Sequence, residues 1–523
     1  MDFDKVWQEY EKAKRFNNQI NLEDTVEVNE NFFVGKQWEG VASNGLPTPV
    51  FNFLKRVTLF QVASITSDNL KLQASPLYAS VGMQEAAEII NDEFNALFEQ
   101  NNVCGLSREF MRNAAVDGDG CMYVYWDAQA ETGQAAKGAI ATEVLDNTRV
   151  FFGDANERHV QKQPYIIIER LMMLEAAKAA ADDADIVRPD ASQGKFHTGD
   201  KVTVLLKLFK KDGTIHGYEC VKDGTFRKEW DLGIRLYPLV WLPWDYVKDC
   251  YHGQALITGL IPNQLFVNKA YAAAQLSLMT SAFPKVVYDR TRVPKWNNRI
   301  GSAIGISGGN LSDVAKILEP AQISPQVAQF INQAVEHTQT FLGATSAALG
   351  DTRPDNTSAI IALQRASSVP SEITKQNFYQ CLEELGRIYV EFMAEYYGKR
   401  TVYRRAEDVL PEEVLLFANA EGEGSVPVEF DFGELKTRPM SLKLDVGASS
   451  YWSEIAAVQT LDNLLTQGKI DIVDYLERIP DGYVTKREEL MAKYSGQAAT
   501  GSEQPATGSG QAAAGVQAAI GNG

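Results

Sequence analysis

One segment, Pro262–Ser281, does most to restrict how this chain can fold. Its apolar residues, among them Leu265, Phe266, Val267, Tyr271, Leu276 and Met279, fall on nearly every side of a single helix. A helix of that kind has to be covered on several sides. It falls short of the ~20 apolar residues a membrane span needs, and no other run in the chain approaches that length. Pro262 suits the first position of a helix, where its missing N–H costs nothing. No other long helix is close by in the sequence, so a neighbouring subunit could supply the cover.

The residues that follow are also patterned. Pro284–Gly309 interrupts the helical signal, with Lys285–Tyr288 reading as a short strand. Lys285, Arg290, Arg292, Lys295 and Arg299 make this the most basic short stretch of the chain, with Trp296 among them and only Asp289 opposing. It is either a solvated hairpin or a contact surface for an acidic partner or a DNA backbone. Trp and Arg are enriched at binding hot spots, which leans toward the contact surface.

A helix resumes at Ser324, a good N-cap, with Val327, Phe330, Ile331, Ala334, Val335, Thr338, Phe341 and Leu342 at helical spacing. Its other face carries Gln326, Gln329, Gln333 and Gln339, with Glu336 the only formal charge. That face is either an ordinary solvated surface or one turned to another subunit or a channel. Gly343–Asn356 reads as a loop. Thr357 or Ser358 then caps a long helix to Tyr397, which Pro370 should bend.

The first 240 residues read as a mixed α+β domain. Helices are expected over Asp4–Phe16, Phe51–Ile65 and Met83–Phe98, and in a segment ending at Val116 that Ser107 could cap. Asp117-Gly118-Asp119-Gly120 is a tight turn into a strand at Cys121–Trp126. Short strands follow around Glu143–Phe152 and at Tyr165–Arg170, and Leu174–Ala184 reads as a helix. Lys201–Phe209, Tyr218–Lys222, Thr225–Trp230 and Leu239–Leu242 form a meander, with hairpin turns at Asp212-Gly213 and Asp223-Gly224. Beyond the long helix, Gly398–Val446 returns to strands and loops. Short helices are expected at Ser453–Leu465, Asp471–Arg478 and Thr485–Ser495. The tail from Gly496 has almost no charge and cannot bury a core, so it should be disordered.

A chain of 523 residues exceeds one ordinary core, and about three domains are typical at this length. The formal net charge of −18 argues against a protein that grips DNA through Lys and Arg. It is compatible with one that lets DNA slide, because an acidic wall repels phosphate. The cysteines Cys104, Cys121, Cys220, Cys250 and Cys381 form no C-x-x-C pair and fit a reduced interior. Met1–Lys5 has neither a basic n-region nor an apolar h-region, so use inside a cell is expected.

Catalytic and metal motifs are weak. Gly305-Ile306-Ser307-Gly308-Gly309 formally matches G-x-S-x-G, which needs a buried strand before the serine. Asn297–Ser302 is a poor strand, and His337 is the only histidine after the motif. A serine hydrolase using Ser307 is therefore the alternative reading, and a flexible glycine loop the plain one. Asp117–Gly120 begins like a calcium loop, but Cys121 and Ala128 stand where the later ligands belong. There is no P-loop, no H-E-x-x-H and no dinucleotide fingerprint, so no cofactor, metal or motor is expected.

The order of parts resembles the portal proteins of tailed bacteriophages. Val34-Gly35-Lys36-Gln37-Trp38 with Pro49-Val50-Phe51-Asn52 is similar to that family's early G-x-Q-W … N segment. Asn113–Gly120 resembles its helix and turn before a strand. Tyr237-Pro238, Tyr251-His252-Gly253 and Pro262-Asn263-Gln264 with Asn268 resemble its run into the stem. Thr357–Ile360 resembles the start of its long helix. Each motif is weak alone, but their shared order spans most of the chain.

The resemblance implies an α+β subunit with a wing at 1–260, a stem helix at 261–283, a clip at 284–320 and a second stem helix at 321–342. A tunnel loop at 343–357, a long kinked helix at 358–398, a wing return at 399–450 and a short helical crown at 451–495 follow, before the tail at 496–523. It implies no catalytic residue. Clip residues Lys285, Arg290, Arg292, Lys295, Trp296 and Arg299 would bind partners, and Asp351, Arg353 and Asn356 would face DNA in the channel. The implied partners are further copies in a dodecameric ring, the terminase large subunit, a head–tail adaptor, the major capsid or scaffolding protein, and double-stranded DNA passing without sequence preference. The implied place is a capsid vertex of the virion, after assembly in the host cytoplasm. Another ring of the head–tail connector is a further alternative, disfavoured by length.

Overall fold

The computed structural model describes residues 2–43, 45–68, 70–78, 81–131, 137–190, 200–282, 286–293, 295, 306–308, 310, 315–317, 325–344, 369–405, 425–438, 440–446, 451–467, 469–479, 487 and 490–491. The chain divides into two units, Met1–Gly447 and Ala448–Gly523.

The first unit opens with α1 (Phe3–Gln19) and α2 (Leu22–Val34). Asp2 caps α1 by accepting from the Asp4 N–H, and α2 ends on Gly35 at φ 96°, a left-handed cap that suits glycine. Then come α3 (Phe53–Thr66), β1 (Leu70–Pro76), α4 (Val81–Gln100) and α5 (Val103–Asp117). Asn52 caps α3 through the Lys55 N–H. Ala87, Ile90, Phe94 and Leu97 of α4 are buried, the face its spacing predicts. Ser107 is not a cap: α5 starts one turn earlier, and Ser107 lies buried within it.

The strands follow as β2 (Asp119–Asp127), β3 (Ala139–Val144), β4 (Val150–Phe152) and β5 (Tyr165–Met173). After α6 (Leu174–Ala180) come β6 (Lys201–Lys211), β7 (Thr214–Val221), β8 (Gly224–Asp231) and β9 (Leu239–Pro243). β2 is flanked by β3 and β9, while β4 to β8 form an antiparallel meander in chain order. Asp212 and Gly213 join β6 to β7 with φ 54° and 94°, the two left-handed residues a tight hairpin turn requires. Ile167 and Leu205 face α1, packing on Val6 and Tyr10, whereas Ile166, Ile168 and Leu206 face the main core. Burial on both faces explains why these strands read as unbroken apolar runs. Each such side chain contributes about 1.5–3 kcal/mol.

The helical arm contains α7 (Leu256–Ala282), β10 (Val286–Tyr288), β11 (Ala315–Ile317) and α8 (Pro325–Phe341). α7 starts six residues before Pro262, so the proline is internal rather than first. An internal proline costs a helix about 3 kcal/mol. Here the early turns bury Ile257 and Leu260 against Leu54, Val57 and Ala344, which offsets that cost. A 3-10 turn at Val369–Ser371 leads into α9 (Glu372–Phe392), and Met393–Tyr397 is a π-helical turn. Pro370 thus stands in the turn before α9; residues 358–368 of the expected long helix lie outside the described residues.

β12 (Lys399–Arg405) pairs with β13 (Ser425–Asp431), and β14 (Met440–Val446) pairs antiparallel with β1, from Leu70 opposite Val446 to Pro76 opposite Met440. The second unit holds α10 (Tyr451–Thr466) and α11 (Ile472–Arg478), linked by the Tyr475 hydroxyl donating to Asp462 at 2.7 Å. Of Thr485–Ser495 only 487, 490 and 491 are described, and the tail from Gly496 lies outside the described residues. Helices and strands are mixed along the chain and every described strand pairing is antiparallel, consistent with the α+β class expected.

Candidate functional site

The root of α7 is fixed by side-chain amides. Gln264 accepts the Leu54 N–H at 3.2 Å and donates to the Phe51 carbonyl at 2.8 Å and to Asn268 Oδ1 at 2.9 Å. Asn268 donates to Gln37 Oε1 at 2.6 Å, and Gln37 donates to the Phe32 carbonyl. Asn52 donates to the Phe32 and Phe33 carbonyls. Gln264 and Asn268 are 0% exposed and Gln37 is 3%, so these bonds form out of water. Buried amides left unpaired are costly, which makes a fully paired set a rigid joint. Gln37, Asn52, Gln264 and Asn268 are the residues of the early and stem-entry motifs; the structure brings them together.

Beyond Asn268 the helix changes character. No described residue from Lys269 to Ala282 is buried, although the segment is apolar: Leu278 is 71% exposed and Met279 51%. α8 packs alongside α7, with Asn263 donating to the Thr338 hydroxyl at 3.1 Å. Its Ile331 and Thr338 are buried, but Phe330 and Phe341 of the same periodic set stand exposed at 61% and 80%. Gln326, Gln329 and Gln333 are exposed as well.

Between these helices β10 pairs with β11. Arg290 and Lys295 are exposed, and Arg292 is half-buried with its Nε 3.6 Å from Asp289. The Thr291 hydroxyl and amide hold the Asp289 carboxyl below its ordinary range, with Arg292 adding to the effect. Lys285, Trp296, Arg299, Asp351, Arg353 and Asn356 lie outside the described residues. Ser307 is exposed and its N–H donates to the Arg292 carbonyl, while His337 is exposed on α8.

A second joint lies where α5 turns into β2. Asp119 is fully buried and accepts from the Gly253 N–H and His252 Nδ1, each at 2.7 Å, and from Asn147 Nδ2 at 3.2 Å. A side chain at Gly118 would put Cβ 2.8 Å from the Gly253 carbonyl, and φ is 106° there, so this close crossing requires glycine. Asp117 beside it is raised to about 7, chiefly by burial. Asp119 therefore serves as a structural tie in a turn. Among the described residues no cluster of three His, Cys, Asp or Glu could hold a metal ion. The sequence marks the turn, but not its tie to His252.

Residues 227–492, which include the whole arm from α7 to α9, match the family described as phage P22-like portal protein. The match defines a portal-class subunit, a structural rather than an enzymatic kind of protein. Since it spans just over half of the sequence, the chain belongs to the P22-like portal protein family. No curated protein matches the chain. Among solved structures it is similar to a chain of the virion of native gene transfer agent (GTA) particle, at 10% identity and a TM-score of 0.39, over 90% of this chain and 93% of that one. Among the described residues no helix is long and apolar enough to cross a membrane.

Proposed function

We propose that the chain forms the portal ring at one vertex of a phage capsid, through which double-stranded DNA enters and leaves. Family membership supports the portal role. The ring reading is carried by the α7 face beyond Asn268, where Leu276, Leu278 and Met279 remain exposed. Contiguous apolar surface of this kind marks an interface, and a closed ring of identical copies repeats one head-to-tail contact.

In this reading 1–260 and 399–450 form the wing, and the pairing of β14 with β1 supports that return. α7 and α8 are the stem, extended back to Leu256 on the α7 side. Residues 284–320 are the clip that docks the terminase large subunit and then a head–tail adaptor, through Arg290, Arg292 and Lys295 with Lys285, Trp296 and Arg299. Residues 343–357, with Asp351, Arg353 and Asn356, line the channel; 451–495 are a crown. The acidic balance of the chain keeps the channel from holding phosphate. The DNA is moved by the terminase, an external ATPase. Negative-stain imaging of the purified protein is the test. A ring of about a dozen copies with a central hole is expected, and a monodisperse monomer would reject it.

A further inference from the structure

α3 is attached at three places to three helices of the arm. At its start, the Leu54 N–H donates to Gln264 of α7. Near its end, Gln61 donates through Nε2 to the Leu342 carbonyl, just past α8. Two residues beyond its end, Asp68 takes Lys375 Nζ at 2.6 Å and the Tyr379 hydroxyl, both from α9. On the α3 side the attaching groups are buried: Leu54 is 0% exposed, Gln61 3%, and the Asp68 side chain 1%, while Lys375 keeps 20% of its side chain in water. α3 also joins two separate cores. Leu54 and Val57 pack with Ile257, Leu260 and Ala344, while Val62 and Ile65 belong to the cluster holding Phe378 and Leu382.

A short helix moves as a rigid body, and a buried polar group that loses its partner is heavily penalised. A shift of α7 and α8 cannot be absorbed at one attachment without orphaning the Gln264 oxygen, the Gln61 amide or the Asp68 carboxylate. We propose that α3 is a coupling strut that passes displacement of the α7–α8 pair to the first turns of α9. The strut stands whether or not the chain forms a portal ring; only the source of the displacement, docking on residues 284–320, rests on that reading.

Hydrogen–deuterium exchange on the full-length purified protein tests the strut. Asp68→Asn should speed exchange by about tenfold at amides 338–344, which Asp68 does not touch, a size typical of coupling between sites. Coupling is reciprocal, so Gln61→Leu should speed exchange at 372–379. Tyr10→Phe, which removes a hydroxyl bond to Glu169 in a different core, is the control for general softening. Acceleration confined to 369–382 in Asp68→Asn overturns the proposal, and so does the same distant response in Tyr10→Phe. Should Asp68→Asn not fold, Tyr379→Phe removes only one hydroxyl and is read by the same criteria.

Discussion

Asn268 is the node of the α7 root, and replacing it should expose how the joint works. In Asn268→Leu, Gln37 Oε1 loses its donor while remaining buried, and Gln264 Nε2 keeps only the Phe51 carbonyl. An orphaned buried acceptor costs about 1–3 kcal/mol and a lost neutral bond about 1 kcal/mol, so about 2–4 kcal/mol is expected. Gln37→Leu strands Asn268 Nδ2 at about 1–3 kcal/mol. It spares the Phe32 carbonyl, which still accepts from Asn52 at 3.2 Å. The double variant leaves neither group facing an absent partner. It should therefore cost less than the two singles together, by about 1–2 kcal/mol. Opening free energies from amide exchange over 264–270 measure each variant locally, which suits a chain too large for two-state unfolding. Additivity within about 0.5 kcal/mol would mean that the amides act independently and that the joint is not a network.

Three further outcomes are expected. The raised Asp117 means the folded chain holds this proton more tightly than the unfolded one, so its stabilisation is complete below about pH 4 and lost as pH rises through about 7. Asp117→Asn should then match the wild type near pH 4 and exceed it near pH 8, by at most about 4 kcal/mol; opening free energies from amide exchange over 113–121 that differ from the wild type by the same amount at both pH values would refute this. Charge reversal at Arg290, Arg292 and Lys295 together should weaken terminase or adaptor binding in a pull-down, and unchanged capture rejects the docking surface. Arg353→Ala and deletion of 345–356 should each impair retention of packaged DNA; normal retention in both removes the channel assignment.

Local signals were legible and long-range ones were not. The periodicity of α4, the Asp212-Gly213 turn and the uninterrupted apolar strands can be read because each depends on neighbours in sequence. The arm, too, shows in the spacing of α7 and α8. The start of α7 is not legible in sequence, because Pro262 favours a first position locally, whereas the burial of Ile257 and Leu260 decides the matter from elsewhere in the fold. β1 gave no signal, with only Leu72 and Ala74 buried and its partner arriving at the far end of the unit. The motif residues Gln37, Asn52, Gln264 and Asn268 could be picked out by resemblance, but their mutual bonds span 231 positions in the case of Gln37 and Asn268. Nothing near Asp68 in sequence announces Tyr379, 311 residues away.

The bare apolar side of α7 also makes concentration a variable in the life of this protein. A chain kept dilute carries Leu276, Leu278 and Met279 in water and will lend them to any greasy surface within reach. If the chains close into the proposed ring, a chain made in abundance meets its own kind first. Mass action then adds the free energy of association to that of folding, so stability measured on the protein should climb with the amount present. Expression level, timing and stoichiometry become part of what keeps the fold intact.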